Sequence, residues 1–110
     1  MAFTPYHNIT GSTGVDVELI APGEKIGEIN SIVIANTHAT ADATVSLYIQ
    51  NNPIVAAKST FYIISTIAIP SDTSLLLDNN SVLSFDNSSN GYGLYLTVGS
   101  SDTLDVMINR

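Results

Sequence analysis

The sequence predicts an all-β protein: a single antiparallel β-sandwich, jelly-roll-like, with about eight strands. Three observations predict it. Short β-branched and aromatic runs recur at roughly 8–14-residue spacing between clusters of Gly, Pro, Asn, Asp and Ser. Several runs alternate apolar and polar residues with period two. No segment carries amphipathic helical spacing over the length a helix needs. The chain of 110 residues fits one domain and can bury one core.

Residues 1–14 are polar and broken by Pro5, Gly11 and Gly14, and they read as an N-terminal arm; the sandwich then occupies 15–110. Residues 15–19 alternate up to Pro22-Gly23. Residues 29–36 are almost continuously apolar, which predicts a strand buried on both faces. After a turn at 37–42, residues 44–50 return as its partner, with Val45, Leu47 and Ile49 on one face and Ser46 and Tyr48 on the other. Thr60–Ile69 is the longest strand. It sets Phe61, Ile63, Ile67 and Ile69 against Tyr62, Ile64 and Thr66 on the opposite face, and ends at Pro70-Ser71-Asp72. Short strands follow at 74–78 and 82–86. Tyr92–Val98 and Thr103–Asn109 close the chain as a hairpin around Gly99-Ser100-Ser101, with Leu94, Leu96 and Val98 facing Leu104, Val106 and Ile108. The predicted core is Val33, Leu47, Ile63, Ile67, Leu94, Leu96, Val106 and Ile108.

Charge narrows the function. Only 12% of residues are charged, about half the usual share, and Ser, Thr and Asn replace them. A neutral polar coat suits faces occupied by neighbours. Ten carboxylates against Lys25, Lys58 and Arg110 give a net charge of −7. Three scattered cations cannot replace phosphate counterions, so no nucleic acid and no anionic membrane is expected as a partner. Without cysteine there is neither a disulfide framework nor thiolate chemistry. The N-terminal residues lack the basic and apolar regions of a signal peptide. The longest apolar stretch, residues 61–70, is half a membrane span.

Catalytic equipment is sparse. His7 and His38 lie far apart in sequence, and a two-histidine metal site would need both to converge with a carboxylate. Asp72-Thr73-Ser74 resembles an aspartic-protease turn, but it has Ser74 in place of glycine and polar Ser71 before the aspartate; it reads as a strand-ending turn. No Gly-x-Ser-x-Gly elbow is present, and Gly11-Ser12-Thr13-Gly14 lacks the lysine of a phosphate loop. Gly91-Tyr92-Gly93 predicts unusual backbone torsion at a strand start. Asp42, Asp72, Asp78, Asp86 and Asp102 fall near turns without calcium-loop spacing. Asn8-Ile9-Thr10 and Asn87-Ser88-Ser89 match the glycosylation pattern, which an Asn/Ser/Thr-rich chain produces by chance. These features predict a non-enzyme with no metal and no cofactor.

The aromatic residues carry more. Tyr48, Tyr62 and Tyr95 fall opposite the predicted core, accompanied by Ile64 and Met107. Such a set reads as an oligomer or partner interface, with a carbohydrate platform and plain cross-strand pairing as the other readings.

The runs Ser31-Ile32-Val33-Ile34-Ala35-Asn36, Val45-Ser46-Leu47-Tyr48-Ile49 and Phe61-Tyr62-Ile63-Ile64 are followed by Ile69-Pro70-Ser71-Asp72-Thr73-Ser74-Leu75-Leu76-Leu77 and Leu104-Asp105-Val106-Met107-Ile108. In this order they resemble small virion structural proteins of tailed bacteriophages, especially those of marine phages infecting cyanobacteria, over residues 29–109. The resemblance marks strand and turn chemistry, and it transfers no functional residue. It implies a β-sandwich subunit displayed in many copies on a virion assembled in the host cytoplasm. Capsid decoration (a cement protein) comes first, and a neck, collar or tail component second. The implied partners are further copies of the chain, as a homotrimer, and the major capsid protein or another virion protein. A carbohydrate-binding module is the alternative of another class.

Overall fold

The computed structural model describes residues 5–11, 16–24, 28–51, 59–79, 83–88, 91–99 and 102–110. Among the described residues eight strands are present: β1 (Tyr6–Thr10), β2 (Asp16–Ile20), β3 (Ser31–Asn36), β4 (Ala43–Asn51), β5 (Thr60–Ile69), β6 (Ser74–Leu77), β7 (Tyr92–Val98) and β8 (Thr103–Asn109). They form two four-stranded antiparallel sheets, sheet A in the order β1-β8-β3-β6 and sheet B in the order β2-β7-β4-β5.

The pairing is nested. β1 lies against β8, β2 against β7, β3 against β6 and β4 against β5, as if one long hairpin had been rolled up. Among consecutive strands only β4 and β5 share a ladder; the other connections pass from one sheet to the other or lead away from it. Two sequence expectations are corrected here. Strand β4 is not the partner of β3, and β7 and β8 are not a hairpin, because in both cases the strands lie in different sheets. A short turn serves a hairpin and a sheet-to-sheet crossing equally well, so strand alternation alone does not distinguish them. Leu94, Leu96 and Val98 do face Leu104, Val106 and Ile108, but across the core and not along a ladder; all six are buried in one cluster.

That core fills the space between the sheets. Ile32 and Ile34 of β3, Val45 and Leu47 of β4, Leu94 and Leu96 of β7, and Leu104 and Val106 of β8 are almost wholly excluded from water. Strand β3 therefore buries one face, not two. Val33, expected in the core, points to the outside and is only half-buried, so the true core positions are its neighbours. Ile63 and Ile67 pack against the cluster from the edge strand β5 and are partly buried.

Two further expectations change. Tyr6–Thr10, read as arm, is β1 and pairs with β8; Tyr6, Asn8 and Thr10 are exposed, while His7 is half-buried on the same side as Ile9, which enters the core. Of the strand expected at 82–86, Val82 lies outside the described residues and residues 83–86 are not in a sheet; Leu83 is buried, and its N–H donates to the Asn79 carbonyl at 3.2 Å. Buried asparagines hold the connections instead. Asn36 Nδ2 donates to the carbonyls of Ala41 and Ile69, each at 2.9 Å, and its Oδ1 accepts from His38 N at 2.9 Å. Asn87 Nδ2 donates to the carbonyls of Ala21 and Tyr92 at 3.0 and 2.8 Å. Its amide is thus already engaged and buried, which removes Asn87 as a glycan acceptor in the folded chain.

Gly91 and Gly93 do not have the positive φ expected of them; they are needed for close approach. A Cβ on Gly93 would lie 2.6 Å from the Ile20 carbonyl and 2.8 Å from Pro22 Cδ, so no side chain fits there.

Candidate functional site

The outer face of sheet B carries the tyrosines. Register places Glu18 of β2, Tyr95 of β7, Tyr48 of β4 and Tyr62 of β5 in one row across the whole sheet. The Tyr48 ring lies 6.0 Å from Tyr95, nearly parallel at 19°, and 5.2 Å from Tyr62, tilted at 45°. The Tyr95 hydroxyl donates to Glu18 Oε2 at 3.3 Å, and the Tyr48 hydroxyl donates to the Asp16 carboxylate. Burial, reinforced by the adjacent Glu18 charge, pushes the Tyr95 phenol up to about 12. Burial together with the Asp16 hydrogen bond raises Tyr48 further.

These contacts alter the interface expected from sequence. Tyr48 and Tyr95 are already buried, at 3% and 7% exposure, and only Tyr62 stands out at 58%. Parallel rings facing each other leave no free aromatic face for a sugar at Tyr48 or Tyr95. Ile64 is not on this face. The β4·β5 ladder shifts register between Val45 and Tyr48, and Ile64 comes opposite Leu47 and packs on the core. Thr66, within the same irregular stretch, has φ 51°. Met107 is on the other sheet altogether. The five residues grouped by sequence therefore fall in three places.

A row that sequence reasoning missed crosses the outer face of sheet A. Tyr6 of β1 pairs with Met107 of β8, Met107 with Val33 of β3, and Val33 with Leu76 of β6. Tyr6 is 67% exposed, Leu76 56% and Met107 38%. The stripe contains no charged or hydrogen-bonding side chain except the Tyr6 hydroxyl. A hollow of about 130 Å³ lies at the β6 end against Leu76, Leu77, Asp78 and Asn79. Another of about 210 Å³ lies at the β1 end against Tyr6, Asn8, Asp105 and Met107. The next row, Asn8–Asp105–Ala35–Ser74, is polar, and Asn8 Nδ2 donates to Asp105 Oδ1 at 2.7 Å. One sequence signal pointed here: Leu75-Leu76-Leu77 in a strand must turn one leucine away from the core.

Seven of the ten carboxylates lie off these faces. Asp105 is the one on sheet A's outer face, and Asp16 and Glu18 sit on β2 beside tyrosine hydroxyls. Glu24, Glu28, Asp42, Asp72, Asp78, Asp86 and Asp102 lie in the connections. Asp102 braces one of them, its Oδ2 accepting from Thr44 N at 3.0 Å. The Ser88 amide holds the Asp86 carboxyl below the usual range. Lys25 and Lys58 lie outside the described residues.

His7 is on β1 opposite Val106, and His38 is in the β3–β4 connection. Among the described residues no three of His, Asp and Glu come together as a metal-holding group. Asp72 occupies a turn with φ 53°, and its N–H donates to the His38 carbonyl at 3.1 Å. In comparisons with known proteins, no family model, curated protein or solved structure matches this chain.

Proposed function

We propose that this chain is a non-enzymatic structural subunit of a tailed-phage virion, folded as a jelly roll and most at home as a capsid decoration protein. The observation that carries the assembly reading is the division of its surface. Apolar side chains stand exposed on the sheet faces, while most carboxylates are kept in the connections. Exposed apolar rows are costly in a protein that works alone and useful in one that is covered. The nested pairing of β1 with β8 through β4 with β5 supports the jelly-roll path, an architecture shared by capsid and lectin domains. Placement on a virion, with the major capsid protein or another virion protein as neighbour, is supported by the sequence resemblance alone, as are the three-fold state and the neck, collar or tail alternative.

The carbohydrate-binding alternative loses ground because two of its three tyrosine rings are stacked on each other and buried. The test is quantitative mass spectrometry of virions purified on a density gradient from a producing culture. Co-migration of the chain at many copies per particle supports the reading. Its absence from intact particles, with the chain present in the lysate, overturns it.

A further inference from the structure

We propose that the hollow between β1 and β8 on the outer face of sheet A receives an arginine side chain from a neighbouring protein, its guanidinium stacking on Tyr6 and pairing with Asp105. The inference rests on the reading of the chain as a subunit covered by another virion protein, and it names one group that neighbour presents.

The hollow lies between two successive outward rows of the β1·β8 ladder, Tyr6–Met107 and Asn8–Asp105, and encloses about 210 Å³. Its corners are of two kinds. Tyr6 and Met107 supply an aromatic ring and a thioether, whereas Asn8 and Asp105 supply an amide and a carboxylate. Tyr6 and Asp105 stand on a diagonal of the ladder, where side chains ~7–8 Å apart can both reach one group inserted between them. Tyr6 is exposed, so its ring has a face to offer, and Asp105 is half-buried beside it.

Charge selects the occupant. Strands β1, β8, β3 and β6 contain no lysine or arginine, so Asp105 has no cation beside it on its own sheet. Asn8 Nδ2 donates to Asp105 Oδ1 at 2.7 Å, which takes one of the roughly four lone-pair positions of a carboxylate. The remaining positions accept and cannot donate. A guanidinium is their complement, because it carries only donors. An anion is repelled by Asp105, and a neutral sugar leaves its charge uncompensated. An ammonium compensates the charge but is compact and strongly hydrated, and it would lose water against Tyr6 and Met107. A guanidinium is flat and weakly hydrated, and it stacks on aromatic faces. The net charge of −7 steers a basic neighbour toward the chain and keeps a second copy away.

The probe is N-acetyl-arginine N-methylamide, titrated into the whole chain and followed by two-dimensional amide NMR. Saturable shifts focused on Tyr6, Asn8, Asp105 and Met107 are expected. Asp105→Asn keeps the shape of the side chain, removes its charge and should weaken binding at least about tenfold. Tyr6→Ala should weaken it about fivefold. Preserved amide dispersion would certify the fold of each variant. Asp78→Asn removes an equal charge beside the other hollow and should leave the affinity unchanged. The lysine analogue of the probe should bind at least about fivefold more weakly. The site is overturned if no saturable shift appears at the hollow, or if Asp78→Asn weakens binding as much as Asp105→Asn, which would mean diffuse attraction to an acidic chain. Equal binding of the lysine or norleucine analogue, or stronger shifts of the same amides with methyl glucoside, would also overturn it. None of these outcomes touches virion membership, which the particle mass spectrometry decides separately.

Discussion

The register of β3 can be tested by two neighbouring truncations. Ile34 is fully buried between Val106 of β8 and Leu75 of β6, whereas Val33 points outward and is half-buried. Ile34→Ala removes three buried carbons, about 2.4 kcal/mol of transfer free energy at ~0.8 kcal/mol each. Hydrogen-bonded strands on both sides limit collapse, so a residual cavity adds about 1.5 kcal/mol. The expected loss is about 4 kcal/mol. Val33→Ala removes two half-exposed carbons and should cost about 0.8 kcal/mol. For a domain of this size these values correspond to falls in Tm of about 15 and 3 °C. Urea denaturation followed by circular dichroism would measure both with an unchanged m-value. A one-residue slip of β3 would exchange the two results, because it moves every side chain to the other face. If Val33→Ala costs as much as Ile34→Ala, the register described above is wrong.

Three further outcomes are expected. Because the folded phenols of Tyr95 and Tyr48 sit above the unfolded tyrosine value near 10, their contribution to stability is complete below pH 10. The Tyr95 part is lost as pH rises through about 12, and the Tyr48 part at higher pH still. In a variant with Tyr6, Tyr62 and Tyr92 replaced by Phe, alkaline titration monitored by phenolate absorbance should show ionisation of Tyr48 and Tyr95 coinciding with unfolding, and ionisation of these two in the native fold at pH 10 would contradict the buried row. Asn36→Asp replaces two donated hydrogen bonds with carboxylate oxygens facing the carbonyls of Ala41 and Ile69 and should cost at least about 2–3 kcal/mol by urea denaturation; a neutral effect would refute the staple. Thr66→Asn places a residue tolerant of left-handed torsion at φ 51° and should stabilise by about 0.5–1 kcal/mol in the same assay, whereas a loss would argue against that backbone conformation.

Much of the fold was legible because strand patterning is local. The bounds of β5, β7 and β8 follow from their β-branched runs and the turn residues around them. Strand β1 was hidden because only Ile9 among its five residues is buried. An edge strand with one core contact has the composition of a loop. Residues 83–86 misled in the opposite way, since Leu83 is buried from a helical turn, its N–H bonded to the Asn79 carbonyl, and a buried leucine there resembles a strand residue. The choice between hairpin and crossing at 99–102 was not legible at all. It depends on which edge each strand finds, a long-range matter that the few residues of a turn do not encode.

The candidate site shows the same limit more sharply. Alternation correctly put Tyr48, Tyr62 and Tyr95 on an outer face, because period two is a property of each strand by itself. Whether an outward residue is exposed depends on its lateral neighbours, and those are set by pairing. Tyr48 has Tyr95 on one side, Tyr62 on the other and Asp16 at its hydroxyl, and it is buried although it faces away from the core. Tyr6 and Leu76 are on edge strands, each with a paired neighbour on one side only, and they remain exposed. The same physics closes one face and opens the other. On sheet B, Tyr48, Tyr95 and two carboxylates satisfy one another across β2, β7 and β4, while Tyr62 on the edge strand β5 stays exposed. On sheet A, Tyr6, Met107 and Leu76 stand exposed beside half-buried Val33. A surface that completes its own contacts needs no partner, whereas one that leaves a row of apolar side chains in water is stabilised by whatever covers it.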